Sequence, residues 1–238
     1  MTQKPWHLSI LTLYPELFPG PLGASVLGRA RDKGLWGLDV FNIRDWALDK
    51  HQTVDDAPMG GGPGMVMRPD VLDRAIQAVC DGRPVSKMIY MSPRGKPFNQ
   101  QMATELLQHE HTLVICGRFE GIDQRVLEKR NIEEISIGDY ILAGGEAAAM
   151  VLAETCIRLL PNALNSGNSV LEESFSSGLL EYPQYTRPQD WGGMKVPEVL
   201  LSGHHEDIRK WRLQQAETLT QQRRPDLWAK YVSKRKEG

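Results

Sequence analysis

Few cysteines and no long apolar run limit the class of protein that this 238-residue sequence can encode. Its cysteines, Cys80, Cys116 and Cys156, are scattered, odd in number and form no C-x-x-C pair. Neither a disulfide framework nor a thiolate zinc site is therefore predicted, and Cys116 and Cys156 are expected to be small core residues. No apolar stretch reaches the roughly 18 residues of a membrane helix, and the N-terminus lacks a signal-peptide pattern. We therefore expect a cytoplasmic protein without membrane contact.

The sequence also lacks a strong charge of either sign. Its net charge is −2, and its 41% apolar and 24% charged residues are ordinary for a globular protein. The distribution is uneven, because residues 178–238 hold 11 Lys/Arg and 8 Asp/Glu, a net of +3, which leaves −5 on the rest. A mildly basic C-terminal segment is compatible with a phosphate-contacting surface and equally with a solvated helical face.

Short apolar runs alternate with helical patterns through the first two thirds of the chain. The strand-like runs are 7–14, 37–43, 87–92, 113–117 and 134–142. The helical patterns are 23–33, 69–80, 99–108, 121–129 and 146–160. Pro69 lies near a first helical position and Asn99 is a good N-cap. This alternation predicts an α/β fold with a mostly parallel sheet covered by helices on both faces.

The character of the sequence changes after the last of these helices. A stretch rich in Asn, Ser and Gly reads as a linker. A helix over 202–219, with Ser202 as its cap, and a basic C-terminal helix follow it. The predicted organisation has three parts, which are an α/β domain over 1–161, a flexible linker over 162–177 and a small mainly helical domain over 178–238.

Glycine-bearing polar segments follow three of the predicted strands. They are YMSPRG (90–95), CGRFEG (116–121) and SIGDYILAGGE (136–146). Because the carboxyl ends of parallel strands meet at one edge of a sheet, these turns are expected to enclose a small ligand with backbone contacts. Close helix packing explains the alanines at 147–149 but not the threefold coincidence. A surface ion pair is the simpler interpretation of Arg118 and Glu120.

A fourth glycine-rich segment, MGGGPGM (59–65), is harder to interpret. It lacks the Gly-Lys-Ser/Thr ending of a phosphate-binding P-loop, and it does not follow a strand as a dinucleotide-binding G-x-G-x-x-G does. A tight surface loop remains the alternative.

Six motifs in order resemble those of the bacterial tRNA (guanine-N1)-methyltransferases. They are MGGGPGM, YMSPRG, CGRFEGIDQRV, SIGDYILAGGE, YPQYTRP and VLLSGHHEDIRKWR. The resemblance implies a SPOUT-type α/β domain with a deep trefoil knot, a feature rare enough that composition and periodicity do not predict it. It also implies transfer of a methyl group from S-adenosylmethionine to N1 of the guanosine immediately 3′ of the anticodon in tRNA.

The resemblance further implies that the three strand-end turns form one cofactor pocket. The expected S-adenosylmethionine-binding residues are Tyr90, Met91, Ser92, Pro93, Gly117, Glu120, Gly121, Ser136, Ile137, Gly138, Asp139, Tyr140, Ile141, Leu142, Gly144 and Gly145. An obligate homodimer is implied as well, with the active site at the subunit interface and tRNA clamped by the C-terminal domain. Dependence on Mg²⁺ is implied too, at a position that the sequence does not assign.

The chemistry of guanine N1 defines two catalytic roles. N1 carries a hydrogen, so a general base is needed beside it and a cation beside O6, where negative charge develops. The resemblance assigns the base to Glu173 and the cation to Arg158. Glu173 replaces the aspartate of the family's D-S-F pattern, with Glu172 as a second candidate, and Phe119 stands where tyrosine is common. A solvated acidic loop and an exposed helix-terminal arginine are the simpler alternatives.

Two other functions remain open from the sequence. One is a knotted RNA-binding module that lost catalysis through the Asp-to-Glu change. The other is a nicotinamide-dependent α/β oxidoreductase, although its G-x-G-x-x-G fingerprint is missing. The residues HHED at 204–207 have the wrong order for a zinc-protease motif and are expected on a helix face.

Overall fold

The computed structural model describes residues 4–164, 174–175 and 177–237. The chain divides into two compact units, Met1–Asn165 and Ser166–Gly238, which we call the first and the second unit. No helix in the described part of the chain is long and apolar enough to cross a membrane.

The first unit is built on a parallel sheet. Its strands are β1 (Trp6–Thr12), β2 (Trp36–Asn42), β5 (Lys87–Pro97), β6 (His111–Cys116) and β7 (Glu133–Ser136). They are hydrogen-bonded in the order β2-β1-β6-β5-β7, and every pair is parallel. Two short strands, β3 (Asp55–Asp56) and β4 (Val66–Met67), form a separate antiparallel pair.

Four α-helices lie between these strands along the chain, and a fifth follows β7. They are α1 (Ser25–Asp32), α2 (Pro69–Gly82), α3 (Gln100–Leu106), α4 (Gln124–Arg130) and α5 (Glu146–Leu159). Pro69 is the first residue of α2, as predicted. The predicted N-cap is also confirmed, because the Asn99 side chain accepts a hydrogen bond from the Met102 amide at 2.9 Å.

The core lies on both faces of the sheet because strand residues alternate in direction. On β6, Val114 and Cys116 pack with α1, α3 and α5, whereas Leu113 and Ile115 pack with α2 and α4. Each fully buried aliphatic side chain of this kind contributes about 1.5–3 kcal/mol. Cys116 and Cys156 are fully buried, as expected for small core residues. The predicted parallel α/β sheet with helices on both faces is therefore confirmed.

Two predicted boundaries were wrong for the same physical reason. The strand predicted over 134–142 ends at Ser136, and the helix predicted over 121–129 starts at Gln124 after an Asp123 cap. Gly138 has a φ of +149° and Gly121 a φ of +118°, which regular strands and helices do not use. The apolar residues after Ser136 imitate a strand in sequence but belong to an exposed loop.

The described residues of the second unit form two α-helices, a short 3₁₀ helix and a hairpin. The hairpin pairs β8 (Asp190–Trp191) with β9 (Met194–Lys195), and the helices are α6 (His205–Arg223) and α7 (Pro225–Glu237). Ser202 does not cap α6, which begins three residues later. Its hydroxyl instead donates to Val199 O at 2.8 Å and accepts from the His204 amide, so it ends the preceding short 3₁₀ helix.

Candidate functional site

A cavity of about 230 Å³ lies at the carboxyl edge of the parallel sheet. Three segments line it, namely 90–93 on β5, 117–121 after β6 and, from the end of β7 onward, 135–138 with 140–145; Ala148 of α5 completes the lining. Fifteen of the sixteen residues predicted to bind the cofactor are among them. The exception is Asp139, which is exposed and does not line the cavity. The expected convergence of the three turns is therefore present in the structure.

The Tyr90 ring packs against the turn after β6, which forms one wall of the cavity. It is buried, and burial raises the pKa of its phenol. A Cβ added to Gly117 would lie 2.7 Å from the Tyr90 hydroxyl, and one added to Gly121 would lie 3.1 Å from it. The tyrosine ring therefore occupies the space that side chains at these two positions would need. Glycine keeps the turn after β6 close to the sheet, so its bare backbone faces the cavity.

Gly144 and Gly145 let helix α5 begin against the end of β6. The Gly145 amide donates to Gly117 O at 3.0 Å. A Cβ at Gly145 would lie 2.8 Å from the Cys116 Cα, and one at Gly144 would contact the Arg118 side chain. Both glycines are thus required by close approach, because Gly145 itself has an ordinary φ of −80°.

The loop between β7 and α5 forms the opposite wall. The Ser136 hydroxyl donates to Gly138 O at 3.1 Å and accepts from the Gly138 amide at 3.2 Å. The Tyr140 hydroxyl donates to Ile137 O at 3.1 Å, which folds its ring over Gly138. The loop consequently holds its own polar groups and turns Ile141, 81% exposed, and Leu142 outward at the rim.

A bulge in β5 shapes the third wall. Met91 and Lys96 both pair with Ile135 of β7, so the residues between them leave the regular ladder. Gly95 allows this bulge, because a Cβ there would overlap the backbone of Glu134 and Ile135. The Ser92 hydroxyl accepts from the Arg94 amide at 3.2 Å and closes the turn.

Arg118 is the main lining residue that sequence reasoning did not assign. Its guanidinium contacts the Glu146 carboxylate twice, through Nη2–Oε2 at 3.0 Å and Nε–Oε1 at 3.2 Å. It also donates to Ala143 O at 3.3 Å and lies 4.3 Å from the centroid of the Tyr14 ring. The suggested surface pair of Arg118 with Glu120 is therefore wrong. The remaining unassigned lining residues are Phe119, Ile135, Ala143 and Ala148.

The glycine-rich segment 59–65 approaches one side of the cavity. Met67 forms a parallel bridge with Ile122, and the Glu120 amide donates to Met65 O at 2.9 Å. A Cβ at Gly64, whose φ is +77°, would overlap the Glu120 side chain. The segment therefore holds the turn after β6 in place. This role was not predicted from the sequence.

The two predicted catalytic residues are not part of this cavity as described. Arg158 lies in the last turn of α5, roughly 18 Å along the helix axis from its first residue at 1.5 Å per residue. Glu173, like Glu172, lies outside the described residues. Within the described ranges, no group of three or more His, Cys, Asp or Glu side chains is arranged to hold a metal ion.

Comparison with known proteins identifies the family. A family model described as tRNA (Guanine-1)-methyltransferase TrmD matches residues 6–230, nearly the whole chain. The chain belongs to this family. A tRNA (guanine-N(1)-)-methyltransferase of Rhodopseudomonas palustris is 58% identical over 224 residues, which cover 94% of this chain and 90% of that protein. A family member of the same name from Brucella ovis is 54% identical over 231 residues, covering 97% and 95%.

Proposed function

We propose that the chain transfers the methyl group of S-adenosylmethionine to N1 of the guanosine immediately 3′ of the anticodon in tRNA. Membership of the tRNA (Guanine-1)-methyltransferase family across residues 6–230 is the observation that carries this proposal. The cavity supports it from the side of the residues, because it unites the turns from three strands that the motifs single out.

The lining of the cavity suits S-adenosylmethionine. Five lining glycines, among them Gly117 and Gly145, let the turns pack closely and expose backbone groups for an adenine edge. Ile137 and Leu142 offer apolar contact for the base, and the Glu120 carboxylate is an acceptor for an ammonium group. The cofactor supplies an electrophilic methyl group; the protein supplies binding, orientation and proton removal.

Proton removal from guanine N1 falls to Glu173 in this proposal. A free glutamate has a pKa of about 4.3 and is ionised at neutral pH, so this residue type can accept the proton. Arg158 stabilises the negative charge on O6, for which a guanidinium is suited because it stays charged and donates in a fork. General-base catalysis of this kind contributes roughly 10²–10⁴ to the rate.

We also propose a homodimer, and the position of Arg158 supports it. Most of α5 separates Arg158 from the cavity of its own subunit, so in this proposal a second subunit brings its Arg158 to the cavity. Exposed apolar side chains at the rim, including Phe119, Tyr140 and Ile141, offer a surface for such a contact. We propose in addition the trefoil knot that the family resemblance implies.

Magnesium has no matching set of ligands in the described residues. Glu120 is the one carboxylate among the residues that line the cavity, and the part of the chain that the structure describes holds no three-ligand cluster. A dedicated carboxylate cage does not fit these residues, and no step of the reaction is assigned to the ion.

Methyl transfer to matched transcripts tests the proposal. Transcripts with guanosine or adenosine next to the anticodon are incubated with labelled cofactor, and only the guanosine transcript is expected to be methylated. Glu173→Gln is expected to lower kcat by roughly 10²-fold or more while cofactor affinity stays unchanged. Arg158→Ala is expected to lower kcat in the same assay.

Glu172→Gln is the matched control, since it removes a neighbouring carboxylate of the same type. It is expected to retain most of the activity. A larger loss of activity in Glu172→Gln than in Glu173→Gln would show that Glu172 is the general base. Methylation of the adenosine transcript alone would refute the proposed substrate.

A further inference from the structure

Glu146 is a buried carboxylate directly behind the cavity. It is 3% exposed and does not line the cavity itself. Thr12 donates to its Oε1 at 2.7 Å, and the Arg118 guanidinium contacts both of its oxygens. A buried carboxylate with this many partners is held in one position.

The cavity has a small number of charged side chains, so its net charge can be stated. Among the described residues, Arg118 and Glu120 are the charged side chains that line it. Together they would give a net charge of zero. Glu146 neutralises Arg118 from behind, so the cavity and its supporting carboxylate carry a net charge of −1. A negative cavity favours a positively charged ligand.

We infer that Glu146 makes this cavity selective for a sulfonium ligand over the corresponding thioether. The inference rests on the proposed function and deepens it. S-Adenosylmethionine and its demethylated product, S-adenosylhomocysteine, carry the same ammonium and carboxylate groups. They differ by one methyl group and by the permanent positive charge on sulfur. Glu146 is thus a positioning residue that acts through Arg118, holding its guanidinium in place and cancelling its charge.

The size of the effect follows from Coulomb's law. If a bound sulfonium lay about 10 Å from the Arg118 guanidinium, loss of the compensating charge would weaken its binding by about tenfold at an effective dielectric constant of about 20. The neutral thioether does not experience this repulsion at sulfur. Loss of the Glu146 charge should therefore weaken the binding of S-adenosylmethionine much more than the binding of S-adenosylhomocysteine. Loss of packing would weaken both equally.

Calorimetric titration with the two ligands measures this selectivity. Glu146→Gln preserves the shape of the side chain and a hydrogen bond with Thr12 while removing the charge. We expect it to raise the ratio of Kd for S-adenosylmethionine to Kd for S-adenosylhomocysteine by about tenfold. The double variant Arg118→Met/Glu146→Gln removes both charges and is expected to return this ratio to the wild-type value.

A second pair of variants contains no unpaired guanidinium, although Arg118→Met leaves Glu146 as an unpaired buried carboxylate. Arg118→Met and the double variant are therefore compared at about pH 8.5, where this carboxylate is kept ionised and the two proteins differ in the charge at residue 146. Arg118→Met should bind S-adenosylmethionine more tightly relative to S-adenosylhomocysteine than the double variant does. Equal ratios in these two proteins would overturn the inference even if Glu146→Gln fails to fold.

Asp73→Asn is the control for the loss of an ion pair elsewhere. Asp73 binds Arg130 at 2.6 Å between α2 and α4, and neither residue lines the cavity. It should lower stability and leave the ratio unchanged. Equal weakening of both ligands in Glu146→Gln refutes the selectivity role alone, whereas a wild type that binds neither ligand refutes the proposed function.

Discussion

The two edges of the parallel sheet in the first unit are built in opposite ways. At the amino edge, side chains pair with one another. His7 Nε2 lies 2.6 Å from Asp39 Oδ2, the Ser9 hydroxyl lies 2.8 Å from His111 Nε2, and the Lys87 and Glu133 side chains form an ion pair. At the carboxyl edge, five glycines are among the residues that line a cavity, and the Arg118–Glu146 ion pair lies at its side and behind it.

This difference separates two kinds of substitution. At the amino edge, removing a side chain can leave a buried partner such as His111 without its hydrogen bond, so the cost appears in stability. At the carboxyl edge, adding a side chain fills space that the turns and the ligand use, so the cost appears in binding and catalysis. The comparison holds only if substitutions at the amino edge change mainly stability and substitutions at the carboxyl edge change mainly binding and catalysis.

The largest expected effect is that of Gly145→Ala. The new Cβ would lie 2.8 Å from the Cys116 Cα, so the start of α5 must move away from β6. Misplacement of about 1 Å at a reacting site costs roughly 10²-fold in rate. We therefore expect kcat/KM for methyl transfer to fall by about that factor, as measured with saturating tRNA and varied cofactor.

Gly82→Ala is the matched control for this substitution. Gly82 is the last residue of α2, and a Cβ there would meet nothing within 4 Å. Alanine at that position should keep kcat/KM and leave stability equal or slightly higher. Similar activity of the two alanine variants would show that the close approach of α5 is not needed for function.

An intermediate effect is expected from Ser9→Ala at the amino edge. His111 is buried, with its Nδ1 directed to Pro84 O at 3.0 Å and its Nε2 to the Ser9 hydroxyl. The substitution leaves Nε2 as an unsatisfied buried acceptor, which costs about 1–3 kcal/mol in the free energy of unfolding. Urea unfolding measures this loss, and cofactor affinity should not change.

Thr104→Ala supplies the comparison for a hydroxyl on the surface. Thr104 is exposed on α3 and donates only to Gln100 O. Its removal should change the free energy of unfolding by less than about 0.5 kcal/mol. A marked loss of cofactor affinity in Ser9→Ala would break the separation between the two edges.

Periodicity and turn chemistry were sufficient for the sheet and for the place of the cavity. Five apolar runs became the five parallel strands, and parallel strands end at a common edge. The limit was reached at 137–142, where Ile137, Ile141 and Leu142 have the pattern of a strand but belong to a loop. Apolar side chains that face a ligand and those that face a core look alike in sequence, and the φ of Gly138 depends on a local turn.

The pairing of side chains that are distant in sequence was the other feature that could not be predicted. Arg118 and Glu146 are separated by 28 residues, and Arg118 has a nearer candidate partner in Glu120. Only the approach of α5 to β6, which Gly145 permits, decides between them. Residue roles on Arg158 and Glu173, like the knot, came from the family resemblance and stay predictions.

The smallest expected effect is a pH dependence at the amino edge. Burial lowers the pKa of His111 below its usual 6.5. The charges of His7 and Arg83 act in the same direction, whereas the hydrogen bond to Pro84 O and the charge of Asp39 oppose them. The unfolded chain therefore binds a proton at His111 before the folded chain does. Stability is fully present above about pH 6.5 and is lost as the pH falls through the lower, folded pKa.

The slope within that window is at most about 1.4 kcal/mol per pH unit. His111→Gln does not titrate, so the wild type should lose stability relative to it between pH 7.5 and pH 5, as measured by urea unfolding. Carboxylates such as Asp73, whose pKa Arg130 lowers, lose their contribution only in more acidic solution. If the stability difference between the two proteins stays constant across this range, His111 is protonated as readily in the folded chain as in the unfolded one. The amino edge would then lack the tightly paired side chains on which the contrast with the glycine-rich carboxyl edge depends.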